Sequence, residues 1–143
     1  MTTPIDTRVF LSARLLMAAI FVLSGVRKAL AFAGTAGYFA KLGLPAPEAI
    51  TALVILIEVG GGLLLIAGWQ LKPVALAMAV FTLATAFIGH AFWAASPDQF
   101  GAQLNNFMKN VAMVGGFVLL AGTAGLGLKP ATPSLRLKTQ PVR

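Results

Sequence analysis

From its amino end the chain alternates long apolar runs with short breaks that are polar or carry Gly and Pro. Four runs stand out, over residues 9–32, 48–69, 73–95 and 104–126. A bilayer core is about 30 Å thick and an α-helix rises about 1.5 Å per residue, so a span needs roughly 20 apolar residues. Each run supplies about that length. The pattern predicts an all-α integral membrane four-helix bundle occupying residues 1–128, followed by a basic, proline-containing tail over 129–143. Between the first two runs, "AGTAGYFAKLGLPAPE" sets Tyr38, Phe39 and Leu42 at helical spacing ahead of Gly43 and the Pro45/Pro47 pair. That spacing predicts a short interfacial helix across one end of the bundle, stopped by the glycine and prolines.

The second and fourth runs echo one another. "GGGLLLIAG" (60–68) and "VGGFVLLAG" (114–122) agree at five of nine positions. Two helices running the same way with matched small residues fit a two-plus-two duplication about an axis along the membrane normal. Equally, Gly61, Gly62, Gly68, Gly115, Gly116 and Gly122 are the small residues that let helix backbones approach, as is Gly25 in the first run.

Composition agrees with the pattern: 58% of the 143 residues are hydrophobic and 10% charged, against about a quarter charged in a soluble domain. The net charge of +7 does not point to nucleic acid, because the basic residues lie at span ends and in the tail rather than on a soluble face. Arg8, Lys72, Lys129, Arg136, Lys138 and Arg143 fall on one side, and the positive-inside rule then puts both termini in the cytoplasm. Arg27, Lys28 and Lys41 oppose it. With no cysteine and one histidine, the chain supplies neither a thiolate metal centre nor a bis-histidine haem within one subunit. No metal site and no covalent cofactor are expected.

Glu58 stands in the middle of the second run, where an unpaired charge costs at least about 2.5–3.5 kcal/mol. Its answer is expected among the other polar span residues. Lys28 nears the end of the first run with Ser24 one turn below. His90 nears the end of the third, with Trp93 one turn beyond. "NNFMKN" opens the fourth and places Asn106, Lys109 and Asn110 on one face. Because successive spans alternate in direction, these positions converge on one layer in the outer half of the bilayer, with Glu58 as its floor. Lys28, and with it Arg27, then answers Glu58 instead of setting topology. Plainer readings stand beside this one: Arg14 and Arg27 snorkel to headgroups, His90 and Trp93 form an interfacial belt, Asn105 caps a helix, and Glu58–Lys28 is a structural pair.

A layer of this kind is net positive and suits an apolar ligand that accepts hydrogen bonds or gains negative charge, such as a quinone. In that reading Glu58 and His90 handle protons and are the candidate catalytic residues, and Lys28, Lys109, Asn106, Asn110 and Trp93 contact the ligand. Phe21, Phe87 and Phe107 with Trp93 would wall it. The interfacial helix would be its lid.

The segments "FVLSGVRK", "YFAKLGLPAP", "IEVGGGLLLIAGW", "HAFW" and "FMKNVAMVGG", in this order and spacing, resemble the DoxX family of small four-helix bacterial membrane proteins. The resemblance runs from Arg8 to Gly127 and carries Gly25, Lys28, Pro45, Glu58, Gly61, Gly62, Gly68, Lys109 and Asn110 as family positions. It implies a bacterial inner-membrane protein and, by similarity to the small subunit of terminal quinol oxidase and thiosulfate:quinone oxidoreductase assemblies, a link to quinone. A protein partner would be needed for electrons, and either such a partner or a homo-oligomer is expected. The tail after Gly127 departs from the family pattern. Two other functions stay open: a non-catalytic membrane anchor or assembly partner, and a small transporter for an anionic solute.

Overall fold

Asp6 opens the first helix, α1 (Thr7–Leu30), by accepting the Arg8 backbone N–H at 2.8 Å, and Arg27 and Lys28 close it where cations face the carbonyl end of the helix dipole. The structure is a computed structural model that describes residues 6–124, so the basic tail and the last two residues of the fourth expected span lie outside it. One residue after α1 the chain turns into α2 (Phe32–Lys41), the interfacial helix, which begins earlier than its aromatic residues suggested. Helix α3 (Pro47–Ala67) starts on a proline, whose missing N–H is no loss in a first turn. It stops at Gly68, whose φ of 72° is the left-handed conformation that lets the N–H groups of Gly68 and Trp69 both return to Leu64 O. Helix α4 (Leu71–Gly89) follows within three residues, then a 3-10 turn (Phe92–Ala94), then α5 (Pro97–Thr123).

Helices α1, α3, α5 and the stretch from α4 through the 3-10 turn are each long and apolar enough to cross a membrane. No more than 28% of any of these spans is buried inside the protein. The rest presents side chains such as Leu16, Leu30, Leu56, Val80 and Leu119 outward, a surface suited to lipid tails and unsuited to water. With four crossings, Asp6 and Ala124 lie at one end of the bundle, and α2 lies at the other.

Two sequence expectations need correction here. The fourth helix begins at Pro97 rather than near residue 104, because Ser96, Pro97 and Asp98 supply a cap position, a proline at the first helical position and an acid in the first turn. Asn105 is therefore mid-helix and not a cap. The third helix ends at Gly89, so His90 and Trp93 are outside it: His90 is its cap residue with φ −134°, and Trp93 belongs to the 3-10 turn.

Most packing is within two helix pairs, α1 against α3 and α4 against α5, with thinner seams between them. The centre of the bundle is sealed by Ala18, Leu65, Ala75, Met78 and Phe117, and Phe21 meets Phe117 at a 5.4 Å centroid distance. Gly25 sets the α1–α3 separation: a Cβ there would fall 2.6 Å from Val59 Cγ2 and 3.1 Å from Glu58 Cβ. Gly62 does the same against Val22 and the Ala18 carbonyl, whereas a Cβ at Gly61 or Gly116 would meet only the flexible thioether ends of Met78 and Met17. Gly115 and Gly122 do not act this way. A Cβ on either would meet open space, so the echo between the two glycine motifs carries into packing only at the matched pair Gly62 and Gly116, which both face α1, and Gly115 and Gly122 drop out of the helix-contact set.

Candidate functional site

Side chains on a helix lean toward its amino end. Helix α1 runs toward the α2 end of the bundle and α3 runs away from it, so Lys28 near the end of α1 reaches back into the bundle and Glu58 at the middle of α3 reaches up. They meet. Lys28 Nζ donates to both Glu58 carboxylate oxygens, at 2.8 and 2.9 Å. The approach of α1 and α3 at Gly25 brings the two backbones close enough for this contact. The pair is asymmetric, since the Glu58 side chain is 8% exposed and that of Lys28 is 29% exposed.

Across from this pair, α4 and α5 contribute a neutral polar seam. Asn110, buried at the middle of α5, donates through Nδ2 to Thr85 Oγ1 at 3.3 Å and approaches Thr82 O at 3.5 Å. Thr85 donates to Thr82 O, and Thr82 donates to Met78 O at 2.7 Å, so every hydroxyl proton here is committed to α4's own carbonyls. The lone pairs and the Asn110 carbonyl remain as acceptors. Nearer the α2 end, His90 Nδ1 lies 3.1 Å from Gln103 Oε1; with the proton on Nδ1, Nε2 is left as an acceptor. Tyr38 on α2 donates its hydroxyl to Gly89 O at 3.1 Å, which latches α2 onto the end of α4 beside His90.

These groups surround one cavity of about 690 Å³. Lys28, Glu58, His90, Asn106, Lys109 and Asn110 all line it, together with Thr82, Thr85 and Tyr38. Its apolar wall comes from Phe21, Phe39, Ile57, Phe81 and their neighbours. Arg27 and Lys109 line it as well, and among the described residues neither forms a salt bridge. With Lys28 neutralised by Glu58, the cavity carries surplus positive charge, and an electron-rich oxygen or an anionic ligand is what it would hold.

Trp93 is the exception among the expected contacts. It does not line the cavity, and neither do Phe87 and Phe107; all three belong to an aromatic cluster with Phe92 in which Phe87 and Trp93 are exposed. Trp93 is placed there by the early end of α4, which leaves it in the 3-10 turn, while Phe87 on α4 and Phe107 on α5 pack against it from their own helices. Sequence reasoning also missed Thr82, Thr85 and Gln103. Thr82 and Thr85 are three residues apart within an otherwise apolar run, a signal of the same kind as the Asn106/Lys109/Asn110 spacing.

A family model described as DoxX matches residues 9–91. The chain is 38% identical to the inner membrane protein YphA of Escherichia coli strain K12 over 113 residues, covering 79% of this chain and 81% of that protein. It is 42% identical to the inner membrane protein YqjF of the same organism over 113 residues, 79% of this chain and 82% of that one. No solved structure matches it.

Proposed function

The chain belongs to the DoxX family, and on that premise we propose that it is a quinone-linked subunit of the bacterial inner membrane whose ligand occupies the cavity between Lys28, Glu58, His90 and Asn110. The single observation that carries this reading is the cavity itself: apolar walls, a few convergent polar groups and surplus positive charge, in a span region otherwise given over to lipid contact. A quinone, when bound, supplies two-electron redox chemistry that ends with negative charge or protons on its oxygens. Of the chain's own residues, Lys28 and Lys109 are the donors for a ring oxygen, and Asn110, whose Nδ2 is held by Thr85 and Thr82, offers its carbonyl to a ring hydroxyl as an acceptor. Glu58 is the counter-ion that keeps Lys28 in place and a carboxylate within reach of a proton, and His90 carries protons from the α2 end. Electrons would come from a partner protein. Positive-inside bias puts both termini in the cytoplasm and the cavity in the outer half of the bilayer.

Purification in mild detergent followed by solvent extraction tests the proposal. Wild-type protein is expected to carry quinone in amounts approaching one per chain, and Lys28→Met and Asn110→Leu to lose most of it. Quinone no more abundant than in an unrelated four-helix membrane protein purified alongside would overturn it.

One observation favours a second reading. The bidentate contact saturates the Lys28 and Glu58 charges against each other, as a structural pair in a non-catalytic anchor would. In that case the variants carry no less quinone than wild type, because none is bound specifically, and any partner complex keeps its activity with Glu58→Gln.

A further inference from the structure

A second cavity, of about 370 Å³, lies at the opposite end of the bundle, where α1, the α3–α4 turn and the end of α5 meet. Two of its lining residues are basic, Arg14 and Lys72, and none is acidic. Arg14 sits two turns into α1. Its Nη2 donates to Ile66 O at 3.2 Å, in the last turn of α3, where carbonyls lack helical partners and the dipole is negative. Gly68 is part of the same contact, since a Cβ there would lie 2.5 Å from Arg14 Nη1. The guanidinium thus packs on the α3 carboxyl end while its Nε, shielded from solvent, has no hydrogen-bond partner. A guanidinium has five N–H donors in a fixed fork, and one carbonyl does not satisfy them.

The rest of the cavity fits the same kind of guest. Lys72, on the first turn of α4, is exposed and lines the cavity together with Arg14. Gln70, the cap residue of that helix, makes no side-chain capping hydrogen bond and also faces the space. Asp6, the nearest carboxylate along α1, is engaged on its own helix through the Arg8 N–H. Phe10 and Leu71 supply an apolar flank. A planar fork, a second cation, a free amide and an apolar wall at the depth where a span meets the headgroups are the elements for holding a phosphate oxygen with hydrocarbon beside it.

We propose that this cavity is a site for a phosphate-bearing anion, gripped by Arg14 and Lys72, with Arg14 fastening the α3 end to α1 at the same time. The ligand chemistry is shared by the headgroup of an anionic phospholipid and by free inorganic phosphate. The apolar flank favours the lipid.

The test uses the full chain in nanodiscs or mild detergent, with phosphatidylglycerol, phosphatidylcholine and inorganic phosphate as probes, read by native mass spectrometry and thermal unfolding. Wild type is expected to retain phosphatidylglycerol over phosphatidylcholine, and Lys72→Gln and Arg14→Gln each to cut that preference about fivefold. Arg14→Gln also removes a helix-end contact, so Lys72→Gln, at an exposed position, keeps the test decisive if the first variant folds poorly. Stabilisation by millimolar inorganic phosphate, with displacement of the lipid, assigns the site to the free ion; retention of lipid against phosphate assigns it to the headgroup. Equal retention of the two lipids with no phosphate effect, or a preference unchanged in Lys72→Gln, overturns the proposal.

Discussion

Glu58 is 8% exposed and Lys28 29%, and this asymmetry decides which partner is costlier to lose. Lys28→Met leaves a carboxylate inside the bundle with its cation gone, the situation in which breaking a buried pair costs about 3–5 kcal/mol. Glu58→Gln leaves an ammonium that already faces the cavity and keeps an amide as partner, so a smaller loss of about 1–3 kcal/mol is expected. The double variant Lys28→Met/Glu58→Leu should be more stable than Lys28→Met alone, since neither charge is then orphaned. Thermal unfolding of the four proteins in one detergent checks the order; a Glu58→Gln loss exceeding that of Lys28→Met would mean that the ammonium is the more dependent partner. At this scale much of the site was legible. A lone acid in an apolar run demands an answer, and the lysine that gives it stands out as the cation breaking the charge bias of the loops. Trp93 was not legible, because its place depends on the residue at which a helix stops.

Between α1 and α3 the close approach at Gly25 positions the Lys28–Glu58 contact, so the element and the site share one constraint. Gly25→Ala would push its methyl into Val59 and against the Glu58 stem, at a cost of about 1–3 kcal/mol for an overfilled contact, and would part the ion pair as α1 shifts. Gly62→Ala, in the α3 glycine motif, would press likewise on Val22 and the Ala18 carbonyl, whereas Gly115→Ala, in the α5 motif that echoes it in sequence, adds its methyl to open space and should be neutral or stabilising by at most about 1 kcal/mol. Comparing the unfolding of Gly62→Ala and Gly115→Ala separates packing from sequence resemblance: equal effects would mean that the α1–α3 seam yields freely. Periodicity finds helices and their direction, but which glycines of a motif lie at a seam depends on rotation about the helix axis. Helix ends were legible only in part, for a related reason. Ser96-Pro97-Asp98 is a start signal written in plain residues, yet its helix opens with two polar turns, Pro97 to Leu104, that a search for apolar length passes over.

For the molecule as a whole, topology rests on a narrow balance. At the end shared by both termini the described residues carry Arg8, Arg14 and Lys72, and at the α2 end Arg27, Lys28 and Lys41, which is a tie by count. In sequence the tail adds Lys129, Arg136, Lys138 and Arg143 to the side of the termini, which tips the bias toward cytoplasmic termini, and Glu58, by neutralising Lys28 inside the bundle, widens it. The chain has no cysteine, and a single introduced thiol therefore reports one position without background. Ser24 lines the larger cavity and Gln70 the smaller one at the opposite end. In intact cells, a membrane-impermeant maleimide added outside is expected to modify Ser24→Cys and to spare Gln70→Cys until the membrane is opened. The reverse pattern would invert the protein, moving the larger cavity and any proton exchange through His90 to the cytoplasmic face. Protection of Ser24→Cys from both sides would mean that water does not reach the Lys28–Glu58 layer, and a carboxylate sealed in that way could hold its lysine but could not trade protons with the aqueous phase.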